Sequence, residues 1–122
     1  MSVRNESEVE AKPVKEARET LIKRLLCREH GAPNFELRKF IIKPKGYIPK
    51  HLHPDMEHVQ YVLKGRYRVG IDKKLYEVKP GDIIYIPSKT AHWYENPGPE
   101  EAEFLCIIPL REDSKTVYLE CR

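Results

Sequence analysis

Residues 46–65 read GYIPKHLHPDMEHVQYVLKG, and this stretch decides the fold. His51 and His53 stand two apart, so on an extended strand both side chains leave the same face, with backbones roughly 6 to 7 Å apart. At that separation two imidazoles can lean onto one ion. Pro54 and Asp55 break the strand, and a second run starts at Glu57-His58 and continues through Leu63 to a turn at Lys64-Gly65. A hairpin-like return is expected to bring His58 back beside the first pair. Three imidazoles from two strands make a metal site, and imidazole suits iron, copper, nickel and zinc.

Working outward, the same punctuation recurs. Strands are expected over Phe35–Lys43, ended by Pro44-Lys45-Gly46, and over Ile48–His53, Glu57–Leu63, Arg66–Ile71, Leu75–Val78, Ile83–Ile86, His92–Glu95 and Ala102–Pro109, with Thr116–Leu119 as one more. Lys79-Pro80-Gly81-Asp82 is a turn, with Pro and Gly at its two central positions. Residues 14–26 fit a short helix, while Thr20–Cys27 fits a first strand. Residues 1–19 are polar and charged, and read as a disordered or loosely attached arm preceding a domain over 20–122. Many short strands with Gly/Pro turns make the chain all-β, a barrel or sandwich.

Composition narrows the function classes. One hundred and twenty-two residues form one domain with room for a core. No apolar run approaches the roughly 18 residues of a membrane span, and the N-terminus lacks the apolar stretch of a signal peptide. A cytoplasmic protein without a membrane partner is expected. Cys27, Cys106 and Cys121 are too widely spaced for a disulfide framework or a Cys-x-x-Cys zinc site. The net charge is +3, with both signs interspersed. No basic stripe carries interleaved aromatics, which argues against nucleic acid.

Two blocks in order carry a resemblance. His51-x-His53 is followed after four residues by His58, and six residues later by Gly65. Gly81 is followed by Pro87-Ser88-Lys89, His92 and Asn96. These resemble the two motifs of the cupins from about Leu21 to Pro109, and the chain is similar to small prokaryotic cupins that carry four histidines around manganese. The resemblance implies a jelly-roll barrel holding one divalent transition metal through His51, His53, His58 and His92. Manganese comes first, with iron, nickel, copper, cobalt or zinc as alternatives. It departs from the pattern at Lys45 and Lys89, where the motifs have Gly, and at His58, where most cupins have Glu. Glu57 competes for that role, but adjacent residues on a strand face opposite ways, and the distance to Gly65 selects His58. Four neutral imidazoles leave the full +2 on the metal, making a stronger Lewis acid whose M(III) state is less accessible.

Strand alternation names the pocket. Gln60 and Val62 share the face of His58, and Tyr94 shares that of His92. Arg38, Phe40 and Ile42 share a face, with Lys39 outward; Phe104, Cys106 and Ile108 are inward. Arg38, Phe40, Ile48, Gln60, Tyr94, Phe104 and Cys106 are therefore the candidate substrate-binding or supporting residues. The bland readings are an inward-packed ion pair or amide for Arg38 and Gln60, an exposed loop residue for His30, and second-layer packing or an interface for Trp93. Leu105 and Ile107, apolar on the outward face, suggest cover by a second copy, hence a homodimer. The leading functional expectation is a dioxygenase-like, metal-dependent enzyme acting on a small organic anion that chelates the metal. The alternatives are a non-redox isomerase or decarboxylase and a cupin that only binds a small ligand. No residue stands out as a general base.

Overall fold

From Arg18 onward the chain folds as strands, and burial alternates with period two over residues 58–62, 83–86, 92–95 and 102–108. The computed structural model describes residues 3–110 and 117–118. The strands are β1 (Lys12–Pro13), β2 (Arg18–Leu26), β3 (Phe35–Leu52), β4 (His58–Lys64), β5 (Tyr67–Ile71), β6 (Lys74–Val78), β7 (Ile83–Ile86), β8 (His92–Glu95), β9 (Ala102–Pro109) and β10 (Val117–Tyr118), with single 3-10 turns at Glu6–Glu8 and Arg28–His30. All pairings are antiparallel, in the order β6-β5-β8-β3-β9-β4-β7, with β2 and β10 also on β3. The sheet curls into the expected all-β jelly roll. Residues 14–26 resolve in favour of the strand. No helix of the described residues is long and apolar enough to cross a membrane.

The interior is filled by Ile42, Val62, Tyr67, Val69, Ile86 and Phe104, all nearly inaccessible. Phe104 is central, with the rings of Phe40, Tyr94 and Tyr67 stacked on it at centroid distances of 5.0, 5.2 and 5.5 Å. Each of the aliphatic and phenylalanine side chains contributes about 1.5–3 kcal/mol by leaving water.

Two expectations are corrected. Pro44-Lys45-Gly46 does not end a strand: β3 runs unbroken through it for 18 residues. The first half of β3 pairs with β2 and β9, the second with β8. The bend between them is pinned by Asn96, whose buried side-chain amide donates to the carbonyls of Ile42 (2.8 Å) and Glu100 (2.7 Å). Its backbone also exchanges hydrogen bonds with Lys45 and Gly46. Proline is tolerated because this bend needs no ladder donor there. Secondly, β4 does not return beside the second half of β3. It lies between β9 and β7, so His58 reaches its partners from another part of the barrel.

The N-terminal segment does not hang free. Asn5 caps the turn at Glu6–Glu8, and β1 pairs with Leu21–Ile22 of β2. Lys39 does face outward, yet it is buried, because its ammonium lies between Glu6 (2.9 Å) and Glu103 (2.8 Å). Burial alone would lower its pKa, but the two carboxylates outweigh that and raise it. Trp93 packs over Gly70: a Cβ there would meet the indole at 2.2 Å. The outward faces of β4, β7 and β9 expose Val59, Tyr61, Ile83, Tyr85 and Ile107.

Lys45 (φ 68°) and Lys89 (φ 62°) both adopt the left-handed conformation. These are the two positions where the motifs place glycine. A side chain there costs about 1–2 kcal/mol, of which glycine gives part back through its freer unfolded chain. Lys45→Gly and Lys89→Gly should each stabilise the protein by about 0.5–1 kcal/mol in urea unfolding. Lys64→Gly, within β4, should do the opposite. A loss of stability in both of the first two variants would refute this account of the bends.

Candidate metal centre

His51 and His92 are direct partners across β3 and β8, with ring centroids 4.2 Å apart. His53 lies just past the end of β3, its ring 5.2 Å from His51 and 5.8 Å from His92. The ligand atoms of these three lie within 4.8 Å of one another, so they could hold one ion. His58 enters from β4, its ring 4.6 Å from His53 and 5.2 Å from His92. All four are buried. Glu57 is exposed, and accepts a hydrogen bond from Tyr85 at 3.3 Å on the outer face.

Hydrogen bonds aim the rings. His51 Nδ1 donates to the Pro49 carbonyl at 2.7 Å and His92 Nδ1 to the Thr90 carbonyl at 2.9 Å, the same backbone device two residues upstream in each case. A carbonyl only accepts, so both rings carry their proton on Nδ1 and keep the Nε2 lone pair. His58 Nδ1 lies 3.3 Å from Cys106 Sγ. The Nε2 atoms of His58 and His92 are buried without a partner, a cost an ion would remove. Burial above all, then the neighbouring rings of His53 and His92, Arg38 and His51, pushes His58 down to about 2. Burial and His51 push His92 down to about 3, against the opposing Thr90 bond. Aimed imidazoles, two of them held neutral with a free Nε2, are what a transition metal requires, so these residues fit the ion that the sequence implies.

The rings face a cavity of about 700 Å³ that also takes in Arg38, Phe40, Ile48, Gln60, Tyr94, Phe104 and Cys106. Every pocket residue expected from the sequence is thus in its wall. Cys106 joins several of them: Arg38 Nη2 (3.4 Å), Gln60 Nε2 (3.5 Å) and His58 all converge on its sulfur. Gln60 also donates to the Tyr94 hydroxyl at 2.7 Å, while its own Oε1 has no partner. Burial keeps Tyr94 protonated, its pKa raised. The sequence reading missed Arg24 and the arm residues Lys12 and Lys15, which line the same cavity. Alternation in Leu21–Leu26 carried the signal for Arg24, since it puts Arg24 on the face of Ile22. His30 also lines the cavity, held between Cys27 and Arg4 rather than in a free loop.

A model of the cupin domain matches residues 38–108. The chain is a cupin. It is 45% identical over 56 residues to an uncharacterized protein of Methanocaldococcus jannaschii, covering 46% of this chain and 45% of that one. It is 31% identical over 87 residues to the 1-methylthio-D-xylulose 5-phosphate methylsulfurylase of Rhodospirillum rubrum, covering 70% and 54%. The polyketide cyclase RemF of Streptomyces resistomycificus superposes with a TM-score of 0.91 at 28% identity, covering 100% of this chain and 87% of that one. The chain spans about half the length of the curated relatives it matches.

The lowered pKa values make a signed prediction for the metal-free cupin. Below the ordinary histidine value of 6.5 the unfolded chain takes up protons, while folded His58 and His92 refuse them down to about 2 and 3. Stability should therefore fall as pH drops below about 6.5, each histidine approaching about 1.4 kcal/mol per pH unit. Unfolding midpoints at pH 7.5, 6 and 5 check it. A flat profile across that range would contradict the burial of neutral imidazoles.

Proposed function

We propose that this cupin is a metal-dependent enzyme acting on a small organic anion, with His51, His53, His58 and His92 holding one divalent transition ion. The carrying observation is the convergence of four buried imidazoles at one wall of a polar cavity. Manganese is the ion the resemblance favours, and the all-imidazole donor set also admits iron, nickel, copper, cobalt or zinc. When bound, the ion supplies a Lewis acid that polarises a substrate oxygen. The chain's own groups complete the recognition. The protonated Tyr94 hydroxyl can donate to a substrate oxygen, and Gln60 Oε1 can accept from a substrate hydroxyl. Arg38 favours negative charge. Together they suit a hydroxyl next to a carbonyl or carboxylate.

Four neutral donors leave the ion's charge undiminished, which favours polarisation without net oxidation, as in an isomerisation, cyclisation or elimination. The similarity to a polyketide cyclase supports that class. Oxygen uptake separates the readings. Hydroxy-ketones or hydroxy-acids turned over without oxygen consumption support the non-redox reading, and stoichiometric consumption would replace it with the dioxygenase-like one.

Metal affinity tests the ligand set directly. The His51→Ala/His92→Ala double variant should lose stoichiometric binding at neutral pH. Cys106→Ala should weaken binding roughly 10- to 100-fold by freeing the His58 ring, whereas Cys106→Ser, which keeps an acceptor, should stay near wild type. Stoichiometric metal in the double variant would sink the assignment.

We also infer a homodimer in which a second copy covers Ile107 and Leu105 of β9 together with the neighbouring Val59, Tyr61, Ile83 and Tyr85. These residues lie on three adjacent strands that end at the edge strand β7, so apolar packing and an open strand edge favour the same partner. Light scattering should give twice the 14.4 kDa chain mass. A monomer at micromolar concentration would rule the pairing out.

A further inference from the structure

We propose that Arg24 and Arg38 together form an oxyanion subsite in the cavity wall, so that the ligand carries a carboxylate or phosphate group a few bonds from the oxygens that face the imidazoles. This rests on the metal-dependent reading above and names its ligand class.

Arg24 and Arg38 are direct partners in the β2–β3 ladder, two residues along from the partners Ile22 and Phe40. All four side chains line the cavity, so Arg24 and Arg38 leave the sheet on the same face, towards one space. Like charges directly opposed across a ladder repel, and one carboxylate, the buried Glu36, forms an ion pair with Arg38 and none with Arg24. Glu36 approaches Arg38 Nε only to 3.6 Å, beyond hydrogen-bonding distance, leaving Nε a buried donor without an acceptor. Nη2 faces the Cys106 sulfur, a weak acceptor, and the guanidinium lies 5.1 Å over the Phe40 ring. Arg24 is exposed and makes no hydrogen bond or ion pair among the described residues. The remaining charges on the cavity are Arg4, Lys12 and Lys15 against Glu10 and Glu29, and Arg4 already donates to the Leu25 carbonyl. The wall is cationic before any metal is counted.

Planar guanidinia match the oxygens of a carboxylate or phosphate two at a time. An oxyanion between Arg24 and Arg38 would relieve their repulsion and give Nε its acceptor. Its place relative to the imidazoles follows from Cys106. Arg38 Nη2 and His58 Nδ1 meet on the same sulfur, so the subsite opens one sulfur atom from the candidate metal ligands. Arg24 extends it towards solvent. A ligand with its chelating oxygens at the imidazoles and an anionic group on the guanidinia spans this distance.

The test titrates the metal-free protein with inorganic phosphate and, separately, with acetate, reading heat and melting temperature. Either anion should bind and raise the melting temperature, and the tighter of the two identifies the group the subsite prefers. Arg24→Gln should weaken binding roughly tenfold or more, with Arg24→Lys between it and wild type. Without anion, Arg24→Gln should melt no lower than wild type, because an opposed charge has gone. Anion binding unchanged in Arg24→Gln, or no binding of either anion, overturns the proposal. The His51→Ala/His92→Ala variant should keep phosphate binding. Should wild-type protein take up no metal while Arg24-dependent anion binding persists, the metal-dependent reading fails and the subsite stands.

Discussion

The site depends on keeping buried imidazoles neutral. The rings pack with centroids 4.2 to 5.8 Å apart, and for His58 and His92 burial enforces neutrality by penalising the charged form. Neutrality alone does not choose the nitrogen that faces the cavity. For His51 and His92 the choice is made locally, by a carbonyl two residues upstream. For His58 it is made by the sulfur of Cys106, 48 residues away. The His58 ring is therefore oriented by the tertiary fold rather than by its own strand, and through the same atom it is tied to Arg38 and Gln60.

The scaffold serves this arrangement through β3. Its first half faces Phe104 and carries Arg38 and Phe40; its second half carries His51 and points at His92 across the ladder. The bend at residues 44–46 lets one strand do both. Asn96, a motif residue that never touches the site, holds that bend by taking up carbonyls that would otherwise lack donors. Lys45 and Lys89 take the left-handed conformation a few residues before His51 and His92 respectively.

Much of this could be read from residue order. Period-two burial in β4 put His58, Gln60 and Val62 inward and Glu57 outward, and the interval to Gly65 fixed that register, since a slip of one would exchange the faces. What escaped was decided by partners far away in sequence. Pro44-Lys45-Gly46 has the composition of a strand end, and only the pairing with Asn96 turns it into a bend. The hairpin expected between the two histidine runs failed because β4 finds β9 and β7 instead. The arm looks solvated by composition, yet Glu6 neutralises a lysine that would otherwise be buried with a single carboxylate. Residues 111–116 and 119–122, including Cys121, lie outside the described residues.

The dependence of His58 on Cys106 also has a consequence for biosynthesis. Pairing between β3 and β9 joins segments at opposite ends of the chain, such as Ile42 with Ala102 and Phe35 with Pro109, and such high contact order slows folding. A nascent chain that has emerged only as far as His92 holds all four imidazoles but neither Cys106 nor the strand that closes the cavity. Its histidines are still hydrated and free to rotate. Selective uptake of an ion at the proposed centre would thus belong to the completed chain, and capture during synthesis would fall to whatever metal is most abundant around flexible histidines.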